Sequence, residues 1–285
     1  MKFIKSIILI TITLCVYAQE KGDSDQLEPE MKKLTLSKID VYSIHDIQND
    51  REYELYIKLP DSYSDTSGIK YPVIYYTDAM WHVEILSGSA EYIMENAILV
   101  GISWQLDMDE KLKKEAGDHV SRYRDYSFKE SSNASHQAKY QFGQAQKHLD
   151  FIRGGVFPYI EDNYVIDPKR RTYFGYSLGA GFGSYILLKS PDTFKNYILG
   201  SPSLKGDIEI LQKLEYQKLK SNVFISYGSL EKELGVHAET FISMLKDRND
   251  ESLNLNSVVI DGSHQTAFPM TAVQGIKWVS GLNNE

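Results

Sequence analysis

The sequence predicts an α/β fold: a mostly parallel central sheet, antiparallel N-terminal strands, and helices on both faces. Three observations lead there. Two segments near the start alternate apolar and polar residues around a turn, as strands with one wet face do. Six later runs are short, apolar throughout and rich in β-branched and aromatic residues, the pattern of strands buried on both faces. Helix-like stretches fall between most of those runs, and strand–helix alternation keeps successive strands parallel. At 285 residues, with 42% hydrophobic and 25% charged, the chain can fill one core without cross-links.

At the N-terminus, Lys2 and Lys5 precede an apolar run from Ile7 to Val16, and Val16-Tyr17-Ala18 offers a cleavage site. Residues 1–18 therefore read as a secretory signal peptide, which implies a secreted or periplasmic product. The run is shorter than the roughly 18 to 20 residues that span a bilayer. The single cysteine, Cys15, lies inside it, so no disulfide is expected, and Leu14 stands where a lipoprotein signal needs a small residue. Residues 19–32 read as an N-terminal extension and 33–285 as one domain. The precursor carries net charge -8, and loss of Lys2 and Lys5 makes the mature chain more acidic still. Such a surface repels nucleic acid and anionic lipid, so neither is expected as a partner.

Leu34 to Ile44 and Arg51 to Leu59 form the antiparallel pair, turning at Asp46 to Asp50. Strands come next at Tyr71 to Tyr76, Ala97 to Ile102, Thr172 to Phe174, Tyr197 to Leu199, Val223 to Tyr227 and Ser257 to Ile260. Helices are expected at His82 to Met94, Ala145 to Tyr164, Leu178 to Leu188, Ala238 to Lys246 and Ala267 to Trp278. Ser103 to Gln144 is polar and without periodicity, yet carries Tyr123, Tyr126, Phe128, Tyr140 and Phe142. A loop of that length reads as an insertion that borders the site and shapes substrate choice.

Gly175-Tyr176-Ser177-Leu178-Gly179 stands between a strand and a helix that opens with Ala180, Gly181 and Gly183. That frame presents a serine hydroxyl at the carboxyl edge of the sheet, with Ser177 as candidate nucleophile. A serine needs a base, and only His237 and His264 come after it in the chain. His264, in the turn Asp261-Gly262-Ser263-His264 after the last strand, is the better placed. An acid to hold the imidazole should come from the loop after Val223 to Tyr227: Glu231 first, Glu233 second, Asp261 a weaker third, with a plain Ser–His pair as the alternative. Oxyanion donors are expected from the amide of Leu178 and from the turn Thr77 to Trp81, where Met80 is the candidate. Arg122 and Arg124 could bind an anionic substrate or pair with Asp118 and Asp125. Trp81 and Tyr176, beside the oxyanion turn and the nucleophile, are further candidate substrate contacts. His45, His82, His119, His136 and His148 show no metal-site spacing, and no cofactor is implied.

With Tyr71-Pro72-Val73-Ile74-Tyr75 leading to Asp78, Arg124-Asp125-Tyr126, Phe157 to Tyr164, the Ser177 elbow and Gly262-Ser263-His264, the chain resembles the esterase family that contains esterase D and the enterobactin-type siderophore esterases. The resemblance runs from about Tyr53 to Trp278. It implies an α/β-hydrolase fold that cleaves esters without a metal, with Ser177 as nucleophile, His264 as base, and Met80 with Leu178 as oxyanion hole. The family often has Asp-Gly in the oxyanion turn; Asp78-Ala79 here requires a backbone that does not need glycine. The expected function is a serine hydrolase acting on a small-molecule ester through an acyl-enzyme, of siderophore type or a feruloyl or acetyl esterase. An acyltransferase on the same centre, or a non-catalytic periplasmic ligand-binding protein, are the alternatives. No oligomeric state is read from the sequence.

Overall fold

Alternating residues make β1 (Ile39–Asp46) and β2 (Arg51–Lys58) an antiparallel pair in register from Ile39 opposite Lys58 to Asp46 opposite Arg51. The connecting turn is held by the Asp46 carboxylate, which accepts from the Gln48 and Asn49 amides. These strands flank the parallel part of one eight-stranded sheet, ordered β1-β2-β4-β3-β5-β6-β7-β8. Its other members are β3 (Tyr71–Thr77), β4 (Ile98–Ile102), β5 (Ile166–Tyr176), β6 (Asn196–Gly200), β7 (Asn222–Gly228) and β8 (Asn254–Ile260). The computed structural model describes residues 38–214 and 217–282; the expected signal peptide, Cys15 and the N-terminal extension lie outside them.

Side chains alternate across the central strands, so one strand feeds two cores. From β3, Val73 and Tyr75 join Tyr173, Phe182, Leu199 and Phe241 on one face, while Ile74 and Tyr76 join Leu86, Phe174, Ile198 and Ile276 on the other. β3, β4 and β6 are buried along their whole length. β8 corrects the expectation of burial on both faces: most of it is exposed or half-exposed. It is the last strand of the sheet, paired with β7 alone, and an edge strand cannot be covered as an interior one is.

Helix α1 (Ala79–Ile93) comes after β3. Within the expected insertion, α2 (Glu110–Ala116), a 3₁₀ turn (Asp118–Ser121), α3 (Arg122–Asp125) and α4 (Ala134–Tyr140) pack as ordered short helices. Asp109 and Asn133 cap α2 and α4 with their carboxylate and amide oxygens. None of these helices exceeds seven residues, too short to leave a helical period in the sequence. The single helix expected at Ala145 to Tyr164 is instead α5 (Ala145–Phe151), a π-helical segment (Ile152–Val156) and α6 (Phe157–Asn163). Pro158 has no amide hydrogen to bond Gly154, which weakens the regular ladder there. α7 (Leu178–Lys189), buried on nearly all sides, continues from β5. α8 (Ile208–Gln212), α9 (Lys232–Asp247) and α10 (His264–Leu282) complete the chain. The carboxyl ends of β3, β5, β6, β7 and β8 thus lie along one edge, where open parallel sheets form their sites.

Candidate active site

The backbone at Ser177 is forced: φ is 55° and ψ -117°, a conformation that residues other than glycine rarely adopt. Three contacts hold it. Its amide donates to the Gly200 carbonyl (2.9 Å), and its own carbonyl accepts from Gly181 and Ser203 (3.0 Å each). The flanking glycines answer to crowding. A Cβ on Gly175 would lie 2.5 Å from the Gly179 carbonyl oxygen, and one on Gly179 would lie 2.5 Å from Thr77 Oγ1. Only glycines let the ends of β3 and β5 and the start of α7 approach this closely.

His264 is the first residue of α10, so it begins the helix where the sequence suggested a turn. Its Nδ1 lies 2.5 Å from Glu231 Oε1. A carboxylate accepts, so in the neutral ring Nδ1 carries the proton and Nε2 is left as an acceptor. The other carboxylate oxygen of Glu231 accepts from the Gly228 amide (2.6 Å) and Ser201 Oγ (2.7 Å). Glu231 itself is almost fully buried, while His264 is about one-third exposed. The other acids considered are engaged elsewhere: Glu233 pairs with Lys205 on the surface, and Asp261 accepts from Ser229 Oγ.

Ser201 has no part in the sequence reading, and His82 stands there only as a helix start and as a histidine without metal-site spacing. Fully buried and left-handed at φ 44°, Ser201 stands with its Oγ between Glu231 and the Tyr176 hydroxyl (2.9 Å), and that hydroxyl donates to the His264 carbonyl (2.7 Å). Burial pushes the Tyr176 hydroxyl up to about 12, so it remains a donor at neutral pH. Tyr176 therefore braces the histidine from beneath, its ring centroid 5.2 Å from the imidazole. The signal for Ser201 was its place directly after Tyr197 to Gly200. His82 is buried, stacked on Phe268 and bonded through Nδ1 to the Thr77 carbonyl.

Met80 and Leu178 lie at the starts of α1 and α7, where amides lack intrahelical acceptors. In α1 the Trp81 and His82 amides turn back to the Asp78 carbonyl (2.9 and 3.2 Å). The left-handed residue of this turn is Asp78 (φ 59°, ψ 44°); Ala79 is already helical and has no need to be glycine.

The two arginines part company. Arg122 pairs with neither Asp118 nor Asp125 but with Asp78, through Nε (2.6 Å) and Nη2 (2.9 Å), and its guanidinium lies 4.8 Å from the Trp81 ring centroid. Arg124 takes the second of the two roles the sequence left open, a pair with Asp125 in place of substrate contact. It is buried against Asp125 (2.8 and 3.1 Å) and Gln105 (2.6 Å), in a cluster with Arg51 and Tyr53, and its fork is used up there.

Two cavities meet at Ser177 and His264. One, of about 530 Å³, is bordered by Ser203, Leu204, Lys205, Lys232 and His237. The other, of about 510 Å³, is bordered by Trp81, His82, Arg122, Tyr176 and Phe268. Among the described residues no group of three or more His, Cys, Asp or Glu could hold a metal.

The chain matches the profile of the Putative esterase family over residues 48–251, a span that includes Ser177 and Glu231 and ends before His264. Ferri-bacillibactin esterase BesA of Bacillus subtilis (strain 168) is 29% identical over 204 residues, which is 64% of this chain and 66% of that protein, just under two thirds of its length. Among solved structures, the BES protein from Bacillus cereus superimposes with a TM-score of 0.70 at 23% identity, over 88% of this chain and 98% of that one. An IroE-like serine hydrolase from Shewanella oneidensis does so with a TM-score of 0.70 at 18% identity, over 84% and 79%. Siderophore hydrolase EstB from Aspergillus nidulans gives 0.64 at 17% identity, over 87% and 96%. At these identities the structures establish a shared fold.

Proposed function

Because the chain belongs to the Putative esterase family and carries a buried glutamate bonded to a histidine in the cleft of its elbow serine, we propose that it is a serine hydrolase that cleaves carboxylic esters through an acyl-enzyme. The 2.5 Å bond between Glu231 and His264 Nδ1 carries the proposal. It holds the proton on the ring nitrogen that faces the acid, so Nε2 can accept the Ser177 proton as Oγ attacks the ester carbonyl. The amides of Met80 and Leu178 donate to the oxyanion. As the tetrahedral intermediate collapses, His264 returns the proton to the departing alcohol. Water then gives its proton to the same nitrogen, attacks the acyl-enzyme and releases the acid with Ser177 restored.

The substrate we favour is a bulky, siderophore-type ester. Two cavities of similar size flank the nucleophile, room for a sizeable group on each side of the scissile bond, and the relatives include a ferri-bacillibactin esterase and a siderophore hydrolase. Lys2, Lys5 and the apolar run after them support export, to the periplasm or beyond.

The test is turnover of p-nitrophenyl acetate and butyrate, methyl ferulate and a catecholate trilactone by wild type and by Ser177→Ala. Loss of about 10⁴-fold or more in the variant is expected, with the trilactone the preferred substrate. Binding without turnover across the panel, or equal rates in both proteins, would sink the hydrolase reading. Preference for methyl ferulate or a short acyl ester would replace the siderophore assignment alone.

A further inference from the structure

Asp78 is a fully buried carboxylate at the catalytic edge that the serine–histidine–glutamate chemistry leaves without a part. We propose that Asp78, gripped by Arg122 and Trp104, is a positioning residue that sets the Met80 amide as an oxyanion donor; this rests on the hydrolase reading above.

The backbone of Asp78 is left-handed, a state that aspartate tolerates better than most residues but that needs support from its surroundings. Its carbonyl accepts from both Trp81 and His82, so the direction of the first turn of α1 is set by the orientation of Asp78. Met80 lies inside that turn. Whatever holds Asp78 also holds the Met80 amide.

Three bonds to the carboxylate do the holding: Arg122 Nε at 2.6 Å, Arg122 Nη2 at 2.9 Å and Trp104 Nε1 at 2.7 Å. The two guanidinium bonds are charge-assisted and bidentate, the geometry that fixes orientation as well as energy. On its far side Asp78 meets the nucleophile elbow: a Cβ on Gly179 would lie 3.3 Å from Asp78 Oδ2. The same carboxylate therefore spaces the starts of α1 and α7, the two helices that carry the proposed oxyanion donors Met80 and Leu178.

This gives the insertion a second role. Arg122 opens α3 and Trp104 lies just beyond β4, so both grips come from the segment between β4 and α5. With Nε and Nη2 on Asp78, Arg122 has only Nη1 and the second hydrogen of Nη2 left for other acceptors. Its place against Trp81 makes it a wall of the cavity beside Ser177 as well.

Asp78→Asn, Arg122→Lys and Trp104→Phe test the proposal against wild type and Ser177→Ala. The readouts are melting temperature, kcat and KM on a p-nitrophenyl ester, and the rate ratio between that ester and its thiono analogue. Sulfur is larger and a weaker acceptor, so the ratio reports on the oxyanion donors, which a loss of stability alone would not change. Asp78→Asn is expected to lower kcat by about 10²-fold with KM within about threefold, and to narrow the carbonyl preference by about tenfold. Trp104→Phe should move kcat and the ratio the same way by about fivefold, with Arg122→Lys between the two. If Asp78→Asn does not fold, Trp104→Phe and Arg122→Lys decide. Folded variants whose carbonyl preference equals that of wild type, whatever their kcat, overturn the proposal while Ser177-dependent turnover stands. Absence of Ser177-dependent turnover in wild type removes the hydrolase reading and this proposal together.

Discussion

Glutamine in place of Glu231 changes one atom and one charge, and the contacts around the side chain decide the outcome. One oxygen of Glu231 accepts from the Gly228 amide (2.6 Å) and Ser201 Oγ (2.7 Å), the other from His264 Nδ1 (2.5 Å). The Gly228 amide can only donate, so a glutamine must turn its oxygen toward Gly228 and its NH₂ toward the ring. Nδ1 must then accept, the ring proton moves to Nε2, and Nε2 can no longer take the proton of Ser177. An imidazole locked in the wrong tautomer costs about 10⁴ in kcat, or about 5.4 kcal/mol of barrier, with little change in KM. The bonds around the side chain survive the exchange, so the melting temperature should move little. Glu231→Ala leaves the tautomer unconstrained and should lose no more than Glu231→Gln. Steady-state and burst kinetics on p-nitrophenyl acetate, with thermal denaturation of each variant, check both points. A glutamine variant that keeps more than about a tenth of wild-type kcat would show that the Ser–His pair works without the acid.

Two buried residues away from Ser177 give stability outcomes. Arg124→Met removes the main partner of the buried Asp125 and should cost about 3–5 kcal/mol of stability in urea denaturation with KM unchanged, whereas a raised KM at full stability would return Arg124 to the substrate. Burial pushes His148 below its ordinary value of 6.5, and its two ring nitrogens have no hydrogen-bond partner among the described residues. The unfolded chain therefore binds the extra proton first, and stability is full above about pH 6.5 and is lost as pH falls from there toward the folded value. His148→Phe, which keeps a ring among Tyr53, Tyr126, Phe151 and Phe182, should lose less stability than wild type between about pH 8 and about pH 5; an unchanged difference would remove His148 as its source.

The legible parts of the site are those whose geometry is local. A strand, then Gly-x-Ser-x-Gly, then a small-residue helix places Ser177 with no long-range information. Glu231 and His264 are 33 residues apart, yet each comes shortly after a strand of a parallel sheet, and β7 and β8 are neighbours, so chain order alone brings them to one edge. The partner of Arg122 could not be read this way. Asp118 and Asp125 were near in sequence, but the fold of the insertion gives Asp125 to Arg124 and Arg51, and carries Arg122 across 44 residues to Asp78. β8 fails for a similar reason: Ser257 to Ile260 has the composition of a buried strand, and only the sheet order reveals that it is the edge.

The backbone at the carboxyl edge of the sheet shows what ties these residues together. Asp78, Ser177 and Ser201 all have positive φ, at 59°, 55° and 44°, and each stands directly after a parallel strand: β3, β5 and β6, which are adjacent in the sheet. Such conformations cost on the order of 1–3 kcal/mol each for residues other than glycine, and glycine would adopt them freely. Glycine, however, has no side chain to present. A left-handed residue at a strand end reverses the chain sharply and leaves its side chain at the sheet edge, which is where a hydroxyl or carboxylate must stand to reach a neighbouring loop. The compensating bonds run between these loops: the Ser177 amide to the Gly200 carbonyl, the Ser203 amide to the Ser177 carbonyl, the Ser201 amide to the Ser226 carbonyl (2.6 Å), and the Ser201 hydroxyl to Glu231. The strain at Ser177 and Ser201 is thus held by neighbouring loops, so Ser177, Ser201 and Glu231 hold their places together.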